Sequence, residues 1–177
     1  MTAANYPNLE FELPLWRDGF VYVAGLDEAG RGAWAGPVVA GAVILPAVSA
    51  RTARAWSRSS LFRAIAEVND SKQLSPLLRE ELFDPIRASA VACASGLATH
   101  AEIDEMGIVA ASKLAMRRAL DGLAVAPQAL LLDALVLSEV ELPQVGIIHG
   151  DALSLSIASA SVLAKVTRDR IMRRLDL

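Results

Sequence analysis

Three separate apolar runs in this chain end on acidic residues, and that arrangement restricts the fold more than any other feature. Residues 20–26 (FVYVAGL) give way to Asp27-Glu28, residues 129–132 (ALLL) to Asp133, and residues 145–148 (VGII) lead through His149 and Gly150 to Asp151. Short apolar runs of this kind predict buried strands. A carboxylate at such an end costs desolvation free energy unless something offsets it. Any one of these acids alone reads by default as a helix N-cap or a turn residue. Four of them at three ends of one sheet are harder to dismiss, because adjacent strands lie only about 4.8 Å apart. Such a cluster suits one or two hard cations, Mg2+ or Mn2+, which take carboxylates together with water and phosphate oxygens. Asp27 and Glu28 are adjacent, so in a regular strand they face opposite sides. Both reach one site only if the strand breaks at Glu28.

The rest of the chain fits a sheet of that kind. A second strand at 38–45 forms a hairpin with the first across a loop punctuated by Gly30, Gly32, Gly36 and Pro37. Residues 91–98 predict a third strand. Ser75 as N-cap and Pro76 at the first helical position start a helix that runs to about Phe83. Residues 101–123 hold one or two helices, broken near Gly107, and the pattern is helical from Ser154 to the end. Residues 1–20 form an irregular lead-in with a helical turn around Glu10, and 21–177 form one domain. Strands in a hairpin followed by strands alternating with helices predict a mixed α/β sheet.

Composition excludes several classes. With 17 basic against 20 acidic residues the net charge is −3, which rules out a uniformly basic nucleic-acid binder. Basic residues concentrate instead in 50–63 (Arg51, Arg54, Arg58 and Arg63, no acid) and in 154–177. The 54% hydrophobic content supports a sizeable core, although 32 residues are alanine. A lone Cys93 supplies neither an internal disulfide nor a zinc cluster. No secretory signal and no apolar run of about 18 residues is present, so the expectation is a cytoplasmic protein without a membrane span; a monomer is expected, although no sequence feature sets the oligomeric state.

Gly30-Arg31-Gly32, directly after the carboxylate pair, could turn its amides toward a phosphate or a sugar hydroxyl. It could equally be a plain hairpin turn, and it lacks the Lys-Ser/Thr ending of a phosphate-binding P-loop. Ser154, Ser161, Lys165 and Arg168 fall at steps of 7, 4 and 3 and share one helix face, which suits a phosphate backbone or simply solvent. Asn69-Asp70-Ser71-Lys72 is a polar loop offering another phosphate contact, while His100 and His149 are structural by default.

Several blocks of the sequence closely resemble the ribonuclease HII family. They are the stretch Val23-Ala24-Gly25-Leu26-Asp27-Glu28-Ala29-Gly30-Arg31-Gly32, then Ala35-Gly36-Pro37-Val38, Asn69-Asp70-Ser71-Lys72-Gln73-Leu74-Ser75 and Lys113-Leu114-Ala115-Met116-Arg117-Arg118-Ala119. Leu131-Leu132-Asp133, Gly150-Asp151 and Ser156 onward through Ser161, Lys165 and Arg168 continue it. The resemblance implies a ribonuclease H-like α/β fold, a five-stranded mixed sheet flanked by helices. It implies endonucleolytic cleavage of RNA in RNA–DNA hybrids and at ribonucleotides in duplex DNA, with a place in ribonucleotide excision repair and DNA replication. Asp27, Glu28, Asp133 and Asp151 would be catalytic metal ligands for Mg2+ or Mn2+. Gly30, Arg31 and Gly32 would read the 2′-hydroxyl, and Lys72, Ser161 and Lys165 would contact phosphate. Two departures stand out. Ala134 follows Asp133 where the family pattern has glycine, and the chain stops at Leu177, before the family's Lys-Gly-Tyr segment. A catalytically impaired, hybrid-binding fragment is the alternative expectation.

Overall fold

The structure, a computed structural model, describes residues 6–49, 52 and 58–176. Arg51 and Arg54 of the basic segment therefore lie outside the described residues. Five strands form one mixed sheet in the order β3-β2-β1-β4-β5, with β1 at Val23–Ala29, β2 at Val38–Ile44, β3 at Ala92–Ala98, β4 at Ala129–Asp133 and β5 at Gln144–Ile147. The first three strands are antiparallel neighbours, whereas β4 runs parallel to β1 and β5 parallel to β4. Helices α1 (Glu12–Arg17), α2 (Ser60–Ala64), α3 (Pro76–Ser89), α4 (His100–Met106), α5 (Ile108–Asp121) and α6 (Leu155–Leu175) complete the described fold.

The period-two alternation of the strands decides what each face meets. Ala24, Leu26, Ala40, Ala42, Leu130 and Leu132 pack against Ala111, Ala115, Met116 and Ala119 of α5. On the opposite face, Val43 meets Leu155, Ala158 and Val162 of α6 together with Leu82, Phe83 and Ile86 of α3. Small side chains bring these layers close. At Gly25 a Cβ would fall on the backbone of Ser156 and Ile157, so only glycine lets α6 lie this near β1. Each fully buried Leu adds about 1.5–3 kcal/mol.

Three expectations are corrected. The turn placed around Glu10 is instead α1, two residues later. Helix α3 does not stop near Phe83 but continues through Pro85 to Ser89. Proline there forgoes one backbone hydrogen bond, yet Ile86 beyond it is fully buried between α3 and α6, and that packing carries the helix on. Finally, β1 does not break at Glu28, since Glu28 pairs with Ala40 and Ala29 with Val39. The expected break at Gly107 is present, with φ 81 between α4 and α5.

Residues 6–20 are integral to this architecture. Asn8 accepts from Leu155 N (2.9 Å) and donates to the Leu153 carbonyl (3.0 Å). The Glu12 side chain is buried at the start of α6 and accepts from Ser154 Oγ (2.6 Å), Ser156 Oγ (2.7 Å) and Ser156 N (3.0 Å). Burial nevertheless raises its pKa above the usual carboxylate value. Removing the side chain would still cost stability, because the buried Ser156 amide and the two serine hydroxyls would lose their acceptor Oε1. Glu12→Ala is expected to lower unfolding free energy by about 2–3 kcal/mol in urea titrations. Glu12→Gln, which keeps the acceptor oxygen, is expected to cost less than half of that.

Candidate active site at the carboxyl ends of the parallel strands

Because β1, β4 and β5 are parallel, their carboxyl ends lie on one side of the sheet, the position at which open α/β sheets place their ligands. The register sets Leu26 beside Leu132 and Asp133 beside Ile147. Asp27 and Asp133 therefore lie one strand apart, and Asp151 follows from the 3₁₀ turn Gly150–Ala152 after β5. One carboxylate oxygen from each of the three lies within 4.8 Å of the others. Asp133 Oδ1 also accepts from Gly150 N (2.8 Å), which ties the end of β4 to the turn that carries Asp151.

Asp27 and Asp133 line a cleft of about 590 Å³, shared with Glu28, residues 29–33, Ser71, Lys72, Ala134, Ile148, His149, Lys165 and Arg168. Glu28 reaches the cleft although the strand is unbroken, because the cleft spans the strand end. Its carboxylate does not join the three aspartates: Oε1 pairs with Arg31 (3.1 Å), while buried Oε2 has no partner. Burial raises the Asp27 pKa well above the ordinary Asp value, the charges of Glu28, Asp133 and Asp151 add to the rise, and a hydrogen bond with Ser161 opposes it. Burial also raises Glu28 against the pull of Arg31. Asp151 is raised by burial and by the neighbouring charges of Asp70 and Asp133, with Lys72 opposing. Lys72 is pushed down by burial, yet Asp151, Asp70 and Asp27 together lift it above its ordinary value. Its ammonium lies 3.4 Å from Asp151 and 3.8 Å from Asp70. Negative charge is thus concentrated here beyond what the nearby cations offset.

The Gly30-Arg31-Gly32 loop is a tight turn in which Ala33 N donates to the Gly30 carbonyl (3.0 Å). Gly30 has φ 106, and a Cβ there would meet the Arg168 side chain and the Pro37 carbonyl. Arg168, read as a candidate phosphate contact, is buried and donates to the carbonyls of Pro37 (2.9 Å) and Ala35 (2.8 Å), bracing the loop from α6. Ser154 is likewise buried, capping α6 at Ile157 N (3.3 Å). Their shared helix face meets protein, not solvent. Ser161 is buried behind Asp27 and hydrogen-bonds Ser71 (2.9 Å), whereas Lys165 lies in the cleft, paired with Asp169 (2.6 Å).

Sequence reading offers the 69–72 loop only as a phosphate contact and His149 as structural, and it does not single out Arg79. Asp70 and Ser71 flank the aspartates from the 69–74 loop, which buried Arg79 holds by donating to the carbonyls of Ser71 (2.6 Å) and Leu74 (2.7 Å). Nothing in the sequence separates Arg79 from a solvated helix arginine. His149 lines the cleft with φ 58, which its neighbours Gly150-Asp151 could have suggested. Ala134 adopts φ 55, a left-handed conformation that costs alanine about 1–2 kcal/mol.

A family model described as Ribonuclease HII matches residues 24–177. A ribonuclease HII of Desulfitobacterium hafniense (strain DSM 10664 / DCB-2) is 49% identical over 168 residues, 95% of this chain and 59% of that protein. One from Dehalococcoides mccartyi (strain ATCC BAA-2266 / KCTC 15142 / 195) is 47% identical over 176 residues, covering 99% of this chain and 78% of the relative. The chain thus spans about three-fifths of the length of the Desulfitobacterium relative. Among solved structures, the ribonuclease H2 from Pyrococcus horikoshii OT3 superposes with a TM-score of 0.68 at 32% identity, covering 88% of this chain and 75% of that one. The sheet and its flanking helices are those of a ribonuclease H-like fold. No described helix is long and apolar enough to cross a membrane.

Proposed function

Because the chain belongs to the ribonuclease HII family, we propose that it is a divalent-metal-dependent endoribonuclease. It cleaves the RNA strand of RNA–DNA hybrids and incises duplex DNA on the 5′ side of embedded ribonucleotides, leaving a 5′-phosphate and a 3′-hydroxyl. The observation that carries this reading is the convergence of Asp27, Asp133 and Asp151 from three strand ends within 4.8 Å.

The donor set fits a hard cation. It consists of carboxylate oxygens, their ionisation is opposed by burial and mutual repulsion, and a buried Glu28 oxygen beside them lacks a partner. Asp27, Asp133 and Asp151 would hold Mg2+ or Mn2+, with Glu28 as the fourth carboxylate. When bound, two such ions supply an activated water and stabilise charge on the leaving 3′-oxygen. The chain's own groups do the rest. Half-buried Gly30 and exposed Arg31 and Gly32 present backbone amides and a guanidinium to the 2′-hydroxyl, the group that separates RNA from DNA. Lys72, with its side chain 75% exposed, contacts a phosphate, and Lys165 does so by exchanging Asp169 for a phosphate oxygen. Ser161 acts through Asp27, fixing its orientation from behind.

A duplex DNA carrying one ribonucleotide, incubated with Mg2+ or Mn2+, is expected to be nicked once, 5′ to the ribonucleotide, and an RNA–DNA hybrid to be cut at several positions. Intact substrate after incubation with protein shown by circular dichroism to be folded would overturn the assignment.

A further inference from the structure

The largest exposed apolar side chain among the described residues sits at the rim of the cleft. Trp34 has a relative exposure of 104%, so its indole is open to water on both faces. It directly follows Ala33, the last of the cleft-lining residues 27–33. The backbone around it is tethered: the 30–33 turn closes on one side, and on the other Arg168 holds the carbonyls of Ala35 and Pro37. Those contacts hold the Trp34 backbone at the rim of the cleft, and an aromatic ring exposed to water forgoes its hydrophobic stabilisation until a partner covers it.

The surroundings favour one occupant. Arg31, its side chain 45% exposed, lies three residues before Trp34, and Lys72 extends from the facing loop into the same cleft. Cations in the cleft and an exposed aromatic side chain next to its lining residue Ala33 match a nucleic-acid strand, which offers anionic phosphates and flat sugar–base faces in alternation. We propose that Trp34 is a substrate-contact residue that packs its indole on the sugar–base face of the strand leaving the cleft, and so sets affinity for nucleic acid without entering the chemistry. The assignment rests on the endoribonuclease reading above.

Steady-state cleavage of an RNA–DNA hybrid and fluorescence anisotropy of the same labelled hybrid in EDTA test it with wild type, Trp34→Ala and Trp34→Phe. Trp34→Ala is expected to raise KM and Kd about tenfold and to leave kcat within twofold. Trp34→Phe, which keeps an aromatic face, is expected to stay within about threefold. The emission contributed by Trp34, taken as wild type minus Trp34→Phe, should become less accessible to acrylamide when hybrid is bound. Trp34→Ala protein that cuts and binds like wild type would overturn the assignment while leaving the enzyme reading intact. So would unchanged binding accompanied by loss of a dimer in size-exclusion chromatography, which would make this rim a contact between copies. A wild-type protein that neither binds nor cuts hybrid would overturn both.

Discussion

Asp133→Asn is expected to lower metal-dependent cleavage by more than about 100-fold, since loss of groups that merely support a metal ligand already costs about 10–100-fold. The substitution is nearly isosteric, and its structural consequences can be followed atom by atom. Asp133 Oδ1 accepts from Gly150 N at 2.8 Å, and the amide oxygen of Asn can keep that bond. The turn carrying Asp151 therefore stays in place, as does the pairing of Asp133 with Ile147. What is lost is one anionic oxygen of the three that converge within 4.8 Å. The deficit should accordingly appear in kcat, with KM for the hybrid changed little, because Lys72, Lys165 and the Gly30-Arg31-Gly32 loop are untouched. Circular dichroism and hybrid binding in EDTA should match wild type. Full activity in a folded Asp133→Asn protein would remove this residue from the site.

Much of this site can be read from the amino-acid order because its logic is local. An apolar run ending in Asp predicts a strand end with a carboxylate, and three such runs predict the convergence that the parallel register of β1, β4 and β5 provides. Ser75 before Pro76 and Gly107 between two helical patterns likewise marked real boundaries. The failures are those in which tertiary packing decides. Pro85 should end a helix by backbone chemistry alone, but the burial of Ile86 beyond it reverses the outcome. Helical spacing places Ser154, Ser161 and Arg168 on one face and says nothing of what that face meets. In the fold it meets Glu12, Asp27 and the 35–37 loop, so these residues hold the site together from within the protein. Glu28 shows a subtler limit. Period two correctly separates it from Asp27, yet a cleft across the strand end admits both. The supporting roles of Arg79 and Asp70 depend on a loop folding back from far along the chain, and no short-range signal carries that.

Asp27→Asn is expected to do two opposite things, abolishing cleavage while stabilising the metal-free protein. Asp27 is buried at 3% exposure with Glu28, Asp133 and Asp151 around it, and its folded-state pKa lies well above the ordinary 3.8. A carboxyl raised in this way binds its proton more tightly folded than unfolded, so the folded state holds the greater number of protons and stability declines as pH rises. The stability it contributes is fully present below the unfolded value near 4 and is lost as pH climbs through the raised folded value. Glu28 and Asp151 are shifted in the same direction, so metal-free wild-type protein should be more resistant to urea at mildly acidic pH than at pH 8. Asn at position 27 removes the buried charge. Its amide oxygen keeps the 2.7 Å bond from Glu28 N, and its amide nitrogen can donate toward the remaining aspartates. The expected gain at pH 7 in EDTA is on the order of 1–3 kcal/mol, or a Tm rise of a few degrees for a chain of this size. The pH dependence should flatten. Mg2+ or Mn2+ should reverse the ranking, because an ion present at 100 times its Kd stabilises wild type by about 2.7 kcal/mol and the variant by less. A metal-free Asp27→Asn protein that melts below wild type at pH 7 would show that the Asp27 carboxylate is supported by the fold rather than strained by it. The binding of the ion would then not be what offsets its burial.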